Sequence, residues 1–229
     1  MKPTGGAAWS APETVAGFVQ SAPNAVLVRF ADAELRRRGG RGCALDLGCG
    51  AARNAVPLAT LGWDIVGVDL SAPMLTAAAQ RARQERVDDR LHLVLASMDQ
   101  VPVRSRSADL VIAHGIWNLA RSAAEFRQAV REAARVARPG AALFVFTFSR
   151  NTFPAEATPV PGEPFVFTQF SGQPQCFLTD SQLMEEMGAA GFVHDRAVPL
   201  TEYNRRSPNA LPGKLAPVIY EAAFRREAA

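Results

Sequence analysis

Lysine is nearly absent from this chain of 229 residues. Lys2 and Lys214 are the only lysines, and arginine supplies all the other members of the 25 basic residues. Because 22 acidic residues offset them, the formal net charge is only +3. A charge this small does not require a polyanionic partner such as nucleic acid or an anionic membrane. The densest basic run, residues 36–41, is interpreted as the solvated end of a helix, although it could contact phosphates.

Cysteine and long apolar runs are also scarce. Cys43, Cys49 and Cys176 have no metal-ligand spacing and cannot all pair, which argues against a metal centre or a disulfide framework. No run approaches the roughly 20 apolar residues of a membrane span, and the stretch MKPTGGAAWSAPET lacks the apolar core of a signal peptide. We therefore expect a soluble cytoplasmic protein that binds neither a metal nor a membrane.

Apolar runs alternate with helical segments over the middle of the chain. Strands are predicted at 43–47, 64–70, 91–96, 108–114 and 141–148, and helices at 52–62, 71–86 and 122–137. A further helix is predicted over 12–38, with a break near Pro23 and a cap at Ser10 or Thr14. Strands that are apolar throughout and alternate with helices indicate a parallel sheet covered on both faces. The predicted fold class is therefore α/β, with a doubly wound, Rossmann-like sheet.

The pattern changes after residue 149. Residues 150–176 are rich in proline, glycine and phenylalanine and are interpreted as an insertion with a short hairpin or an extended segment. A capped helix is predicted at 178–191, followed by strands at 192–204 and 217–227. No linker or internal repeat separates a second unit, so residues 1–229 are predicted to form one domain.

The stretch CALDLGCGAARNA, residues 43–55, joins the first predicted strand to a glycine-rich turn. In an open parallel sheet, ligands bind beyond the carboxyl ends of the strands, and Gly48 and Gly50 lie at such an end. Glycine lets the chain turn tightly and lets a ligand approach the backbone. Asp69 ends the second strand roughly 20 residues later, where a carboxylate can accept both ribose hydroxyls of an adenosine ligand. An ordinary tight turn, with Asp69 capping the next helix, is the alternative.

The residues around the two glycines favour a cationic ligand over a dinucleotide. A G-x-G-x-x-G loop needs glycine or alanine at position 53, where this chain has the much larger Arg53. A G-x-G-x-G loop would need glycine at position 52, where Ala52 is a small change. Asp46 stands two residues before the first glycine, where an acidic group is a poor neighbour for a pyrophosphate and a good partner for a cation. Both Arg53 and Asp46 therefore argue against a nicotinamide-dependent oxidoreductase.

Five stretches in fixed order carry a family resemblance: LDLGCGAAR, VGVDLS, LASMDQVP, ADLVIAHGIWNLA and RVARPGAALFVFTFS. Together they resemble the successive motifs of class I S-adenosylmethionine-dependent methyltransferases, in the small-molecule group. The resemblance covers residues 43–149, and the late helix and strands fit the closing hairpin of the family. It implies a seven-stranded sheet whose last strand is antiparallel, with S-adenosyl-L-methionine as the cofactor. The glycine missing at position 52 is the departure from the family pattern.

The resemblance also implies roles at the cofactor site. Asp46 and the Gly48–Gly50 backbone would face the amino-acid part of the cofactor, and Asp69 would bind its ribose hydroxyls. Asp99, with the Met98 backbone, would contact the adenine amino group, unless it is only a turn residue at the surface. The complete predicted cofactor set is Asp46, Gly48, Cys49, Gly50, Arg53, Asn54, Asp69, Leu70, Ser97, Met98, Asp99, His114 and Gly115.

His114 and Gly115 follow the fourth strand, at a place that in the family lies near the methyl group. His114 is the candidate general base, because an imidazole titrates near neutral pH, although it could merely shape the loop. A base is needed only where the acceptor holds its proton tightly at neutral pH. The predicted acceptor-binding residues are Trp9, Trp117, Asn118, Tyr203 and Arg205, with Phe165 to Phe170 as aromatic candidates whose simpler role is core packing.

The predicted function is methyl transfer from S-adenosyl-L-methionine to a small-molecule acceptor by in-line displacement, without a metal. Residues 1–42 would form an N-terminal helical segment, 43–149 the cofactor-binding core, 150–176 an insertion over the acceptor site and 177–229 the closing helix and strands. A nucleic-acid methyltransferase is disfavoured, because AHGIWN follows the fourth strand in place of an Asn/Asp-Pro-Pro-aromatic element. A non-catalytic cofactor-binding protein and a nicotinamide-dependent oxidoreductase are the alternatives. The acceptor atom, and the choice between monomer and homodimer, stay open.

Overall fold

The computed structural model describes residues 9–205 and 216–228. Its strands are β1 (Cys43–Leu47), β2 (Asp64–Asp69), β3 (Leu91–Leu95), β4 (Ala108–His114), β5 (Ala137–Phe148), β6 (Val166–Phe167), β7 (Gln175–Cys176), β8 (Phe192–Asp195), β9 (Thr201–Tyr203) and β10 (Ile219–Arg226). Its α-helices are α1 (Pro12–Gln20), α2 (Ala25–Arg37), α3 (Ala55–Leu61), α4 (Ala72–Gln84), α5 (Ala123–Val136) and α6 (Asp180–Ala189).

The main sheet confirms the predicted fold class. Its order is β3-β2-β1-β4-β5-β10-β8, and β1 to β5 are all parallel. β10 runs antiparallel between β5 and β8, as the closing strand of a Rossmann-like methyltransferase sheet does. The carboxyl ends of β1, β2 and β4 therefore meet at one edge of the sheet, which is the edge where ligands bind in open parallel sheets.

The late strand that the sequence predicts over 192–204 is split in two. β8 pairs with the second half of β10, and β9 pairs with the first half. Residues 196–200 separate the two pieces and include Pro199, which has no N–H to donate to a sheet. The small hairpin of β6 and β7 agrees with the hairpin predicted inside the insertion.

The N-terminal helix is also divided, at residues 21–24, next to Pro23 as predicted. The predicted caps are wrong. Ala11 precedes α1 and has no polar side chain that could cap the helix. The helix begins with a proline, whose missing N–H needs no partner. The second helix is capped by Asn24, whose Oδ1 accepts hydrogen bonds from the Val26 and Leu27 N–H groups at 2.9 and 3.0 Å.

The basic run at the end of α2 is not entirely a solvated face. Arg36 pairs with Asp32 in solvent, with 79% of its side chain exposed. Arg38 instead pairs with the buried carboxylate of Asp109 at 3.0 Å, and Arg138 binds the second oxygen of that carboxylate at 2.7 Å. The interpretation of residues 36–41 as solvated is therefore wrong at Arg38, because a charged partner in β4 draws its side chain inward.

Candidate functional site

A cavity of about 390 Å³ opens at the edge where β1, β2 and β4 end. Its walls contain ten of the residues predicted from the sequence: Trp9, Gly48, Gly50, Asp69, Leu70, Ser97, Met98, Asp99, His114 and Gly115. The fold thus brings into one cavity side chains from four separate strand ends and from the N-terminal segment. A volume of this size lies in the range of small-molecule and cofactor sites.

The glycine turn has a backbone that only glycine adopts freely. Gly48 has φ +65° and Gly50 has φ +53°, both in the left-handed region. A Cβ added at Gly48 would lie 2.6 Å from the Ile116 Cδ1 and 2.9 Å from the Ile116 Cβ. Ala52 is also left-handed, with φ +58°, so the missing third glycine would have stood at a position that requires this conformation. Alanine there costs roughly 1 kcal/mol of backbone strain.

Asp69 supports the turn and faces the cavity at the same time. Its Oδ2 accepts a hydrogen bond from the Gly50 N–H at 2.9 Å, and its Oδ1 accepts one from the Ser71 N–H at 2.8 Å. Each carboxylate oxygen has a second lone pair for a further donor, such as a ribose hydroxyl. The cap of α4 is Ser71, whose hydroxyl accepts from the Met74 N–H. The alternative in which Asp69 merely caps the next helix is therefore incorrect.

Asp99 follows β3, which β2 separates from β1 and the glycine turn. The Ser97 hydroxyl donates a hydrogen bond to the Asp99 carboxylate. The Gln128 amide donates to the Asp99 carbonyl at 3.4 Å. These contacts hold the 97–99 segment against α5 and leave one Asp99 carboxylate oxygen for an external donor, such as an amino group.

Four of the predicted cofactor residues do not line the cavity: Asp46, Cys49, Arg53 and Asn54. Asp46 is only 2% exposed, and its burial, followed by the nearby Asp69 carboxylate, raises its pKa to about 7 against the opposing charge of Arg53. Cys49 is buried too, and burial raises the pKa of its thiol. The Asn54 Oδ1 accepts from the Asn24 N–H at 3.0 Å and so fixes the N-terminal segment. Any contribution of these residues to a ligand is made through the turn or through their charge.

His114 lines the cavity, but its ring is enclosed by hydrogen-bond donors. The ring stacks on Phe146 with 4.2 Å between the centroids. Its Nδ1 lies 3.2 Å from an Arg53 guanidinium nitrogen, and its Nε2 lies 3.2 Å from the Asn24 Nδ2. Burial, followed by the Arg53 charge, lowers the pKa of His114 to about 4. Both features oppose protonation, so the geometry disfavours the predicted role of His114 as a general base.

The predicted acceptor-binding residues divide into two groups. Trp9 lines the cavity and packs edge-on against Phe18 of α1, with 5.9 Å between ring centroids. Trp117 and Asn118 are buried in the short turn after β4, where Trp117 packs on Phe126 of α5. Neither of them lines the cavity, because the turn directs these two side chains into the core.

Tyr203 and Arg205 also lie away from the cavity. The Tyr203 hydroxyl donates to the buried Glu221 carboxylate at 2.8 Å, and Arg205 pairs with Glu202 at the surface. In the insertion, Phe165 and Phe167 are 1% and 2% exposed, so the core-packing interpretation holds for both.

Nine cavity residues were not assigned to a ligand site by the sequence analysis. They are Phe18, Val68, Ser71, Met74, Ala96, Ile116, Leu119, Arg121 and Glu125. Ile116 and Leu119 flank the two residues that were predicted instead. Phe18 could have been found as an apolar residue on a helix that the sequence predicts to precede the glycine turn.

The indole of Trp117 offers a test of the local packing. Within the described residues its Nε1 has no hydrogen-bond partner, whereas the Nε1 of the equally buried Trp63 donates to the Ala31 carbonyl at 3.2 Å. Trp117→Phe and Trp63→Phe remove similar volumes, but the first removes a buried N–H without a partner, whereas the second breaks a hydrogen bond. We expect urea unfolding to show Trp117→Phe as less destabilising by about 2 kcal/mol. Equal losses would mean that the Trp117 N–H is satisfied in solution.

Comparisons with known proteins agree with this site. Residues 45–145 match the family model described as a methyltransferase domain. The chain is 30% identical over 173 residues to a demethylmenaquinone methyltransferase of Mycolicibacterium gilvum, covering 69% of this chain and 71% of that protein. It is 36% identical over 114 residues to a demethylmenaquinone methyltransferase of Lactiplantibacillus plantarum, covering 48% of this chain and 46% of the relative. The chain therefore belongs to the class I S-adenosylmethionine-dependent methyltransferases, whose cofactor is S-adenosyl-L-methionine.

The chain spans about half the length of the first curated relatives it matches. Among solved structures, the cyclase SpnF superposes with a TM-score of 0.66 at 19% identity, over 92% of this chain and 85% of that one. This likeness concerns the fold alone, and the name of that neighbour is not that of a methyltransferase.

None of the helices in the described ranges, 9–205 and 216–228, has the length and hydrophobicity needed to cross a membrane.

Proposed function

We propose that this protein transfers the methyl group of S-adenosyl-L-methionine to a small, planar and largely apolar acceptor. The observation that carries the proposal is the shared cavity of the Gly48–Gly50 turn, Asp69 and Asp99. The Gly48–Gly50 turn fits the amino-acid part of an adenosyl cofactor, because a ligand can approach its backbone closely. Asp69, with its free lone pairs, fits the ribose, and Asp99 fits the adenine.

Each part of the cavity would hold one part of the cofactor. Asp69 would accept the ribose hydroxyls, and Asp99 with the Met98 backbone would bind the adenine amino group. The amides of the glycine turn would bind the amino-acid part, and Gly115 would leave room near the methyl group. Ser97 positions Asp99, and Leu70, which is 53% exposed at the cavity, would cover the adenosine.

Asp46, Cys49, Arg53 and Asn54 would act from behind this wall. The carboxyl group of Asp46 provides a negative charge when it is ionised, which favours a cationic cofactor.

The chain's own contribution to the reaction would be alignment. A bound sulfonium cofactor supplies an already activated methyl group. Holding an acceptor atom in line with it can contribute about 7–11 kcal/mol through proximity and orientation. Trp9 and Phe18 cover the cavity and would exclude water from it.

The apolar lining supports an acceptor without a strong charge. Trp9, Phe18, Ile116 and Leu119 contribute aromatic and aliphatic surface, and the cavity's arginine, Arg121, pairs with Glu125 at 3.2 Å. Curated relatives are named for methylation of demethylmenaquinone and of ubiquinone precursors, which are quinone-type acceptors. A quinol-like aromatic acceptor therefore agrees with both the cavity and the relatives. The insertion at 150–176, which packs its own phenylalanine cluster, is proposed to border the acceptor side of the single domain.

Methyl transfer can be tested with S-adenosyl-L-methionine labelled in its methyl group. The probe acceptors are 1,4-dihydroxynaphthalene and, as a charged aromatic control, benzoate. We expect label in an organic-soluble product of the first and none in the second. Binding of cofactor without transfer to any member of a wider phenol and quinol panel would contradict the proposed function and favour the non-catalytic alternative.

Asp69→Ala is expected to weaken binding of S-adenosyl-L-methionine by more than about tenfold, because two charge-assisted hydrogen bonds are lost. Calorimetric titration measures the change. Asp64→Ala is the matched control, because Asp64 begins the same strand and forms only an exposed pair with Arg90. An unchanged affinity in folded Asp69→Ala would refute the assignment of Asp69 to the ribose.

A further inference from the structure

Asn24 joins three parts of the molecule through one side chain. Its Oδ1 is occupied by the Val26 and Leu27 N–H groups at the start of α2. The orientation of the amide is therefore fixed, and its Nδ2 must point the other way. That nitrogen carries two hydrogens. One is directed at the Glu221 Oε2, 2.7 Å away, and the other at the His114 Nε2, 3.2 Å away.

Glu221 holds this amide in place from β10. Its side chain is buried, with 2% of the residue exposed. Its Oε1 accepts from the Tyr203 hydroxyl at 2.8 Å, and its Oε2 accepts from Asn24. A buried carboxylate needs donors, so Glu221 keeps the amide hydrogens of Asn24 facing outward to itself and to His114.

The imidazole of His114 is thereby enclosed by groups that donate. Arg53 faces its Nδ1 from the turn after β1, and Asn24 faces its Nε2. Phe146 of β5 covers one face of the ring without charge. Among the described residues, no acidic side chain is hydrogen-bonded to the ring: Glu221 binds Asn24, and Asp46 interacts with the charge of Arg53. A neutral imidazole carries one N–H, so only one of its nitrogens can accept from these donors, and a second ring proton would remove that last acceptor.

We propose that Asn24, held by Glu221, is a positioning residue that keeps the His114 ring uncharged, so that His114 adds no positive charge to the cavity wall where a sulfonium cofactor binds. The inference rests on the proposed function, because it concerns the same cavity and the same cofactor. A positive ring would repel the positive sulfur, whereas it would not repel the neutral thioether of S-adenosylhomocysteine. A charged His114 ring should therefore weaken binding of S-adenosyl-L-methionine more than binding of S-adenosylhomocysteine, although the two ligands have nearly the same shape.

The decisive variant exchanges the two groups: Asn24→Asp combined with Glu221→Gln. The new carboxylate still caps α2, and it still pairs with an amide at position 221. The net charge is also unchanged. What changes is the atom that faces the His114 Nε2, which becomes an acceptor in place of a donor. NMR titration is expected to show the pKa of His114 rising from about 4 to about 6 or higher.

The second readout is the affinity of each ligand at pH 5.5 and pH 7, measured by calorimetry. In the exchange variant we expect S-adenosyl-L-methionine to weaken by about tenfold more than S-adenosylhomocysteine at pH 5.5, relative to the wild type at the same pH. Adding His114→Gln should abolish the difference. A merely structural role of Asn24 would weaken both ligands equally and at both pH values.

Three results would overturn the inference. One is titration of His114 above pH 6 in the wild type. Another is a raised His114 pKa in the exchange variant with no change in the ratio of the affinities for S-adenosyl-L-methionine and S-adenosylhomocysteine. The third is an equal change of that ratio when His114→Gln is added to the exchange variant. If the exchange variant does not fold, titration of His114 in the wild type still tests the inference, whereas Asn24→Asp alone is unsuitable because it would place two carboxylates against each other. If the wild type binds neither ligand, the proposed function fails, while the NMR titration still decides whether Asn24 keeps the ring uncharged.

Discussion

Asp46→Asn is expected to raise the free energy of unfolding by an amount that grows with pH. The carboxyl group of Asp46 has a pKa of about 7 in the folded chain, chiefly because it is buried and next because Asp69 is near. In the unfolded chain it titrates near pH 4. Between these values the folded state keeps a proton that the unfolded state has lost, so ionisation of Asp46 destabilises the fold as pH rises. Asparagine does not titrate, and the advantage of the variant should increase by about 3 kcal/mol between pH 4 and pH 8.

Urea unfolding at pH 4.5, 6 and 8 measures this difference. Asp109→Asn is the control for a buried carboxylate that has partners, because Asp109 pairs with Arg38 and Arg138 and its replacement should destabilise the fold. A stability difference for Asp46→Asn that does not change with pH would contradict the burial of an ionisable group behind the glycine turn. The same variant should bind S-adenosyl-L-methionine more weakly at pH 8, since the negative charge is absent.

Gly48→Ala is expected to disrupt the glycine turn. The added methyl group would overlap Ile116, whose Cβ would be 2.9 Å away and cannot move without its backbone. The left-handed φ of +65° adds backbone strain. Together these effects should cost about 2–4 kcal/mol of stability and displace the loop after β4 from the cavity. We expect the affinity for S-adenosylhomocysteine to fall by at least about a hundredfold, or about 2.7 kcal/mol.

Gly115→Ala separates the two causes. Gly115 also has a left-handed φ, of +70°, but a Cβ there would meet nothing within 4 Å. It should therefore lose only about 1 kcal/mol of stability. Thermal unfolding of the two variants measures this difference in stability. Equal losses in the two variants would show that the contact with Ile116 does not restrict position 48.

The central strands could be predicted because their sequence pattern has a single physical cause. β1 and β4 are largely buried, so each is apolar apart from Asp46 in β1 and from Asp109 and His114 in β4, and the predicted bounds 43–47 and 108–114 agree with the structure. The helix start at Ser71 was recognisable for a similar reason, since a hydroxyl cap acts locally. The sequence contains Pro199 but does not show that the strand is interrupted there, because β8 and β9 are aligned only by their pairing with β10.

The direction of side chains in turns could not be predicted. Trp117 and Ile116 are neighbours after β4, and only the tertiary contact with Phe126 decides that the tryptophan enters the core while the isoleucine faces the cavity. Tyr203 was expected near a ligand, but a buried carboxylate far along the chain, Glu221, takes its hydroxyl. The role of Asn24 was hidden for the same reason, because His114 and Glu221 are distant from it in sequence.

The most direct test of the account is calorimetric titration of the wild-type protein with S-adenosylhomocysteine, with NADH as the control ligand. We expect micromolar binding of S-adenosylhomocysteine at one site per chain and no binding of NADH. Binding of NADH alone would contradict the assignment of the cavity to an adenosyl cofactor and would favour the oxidoreductase alternative. Binding of neither ligand would contradict the account as well.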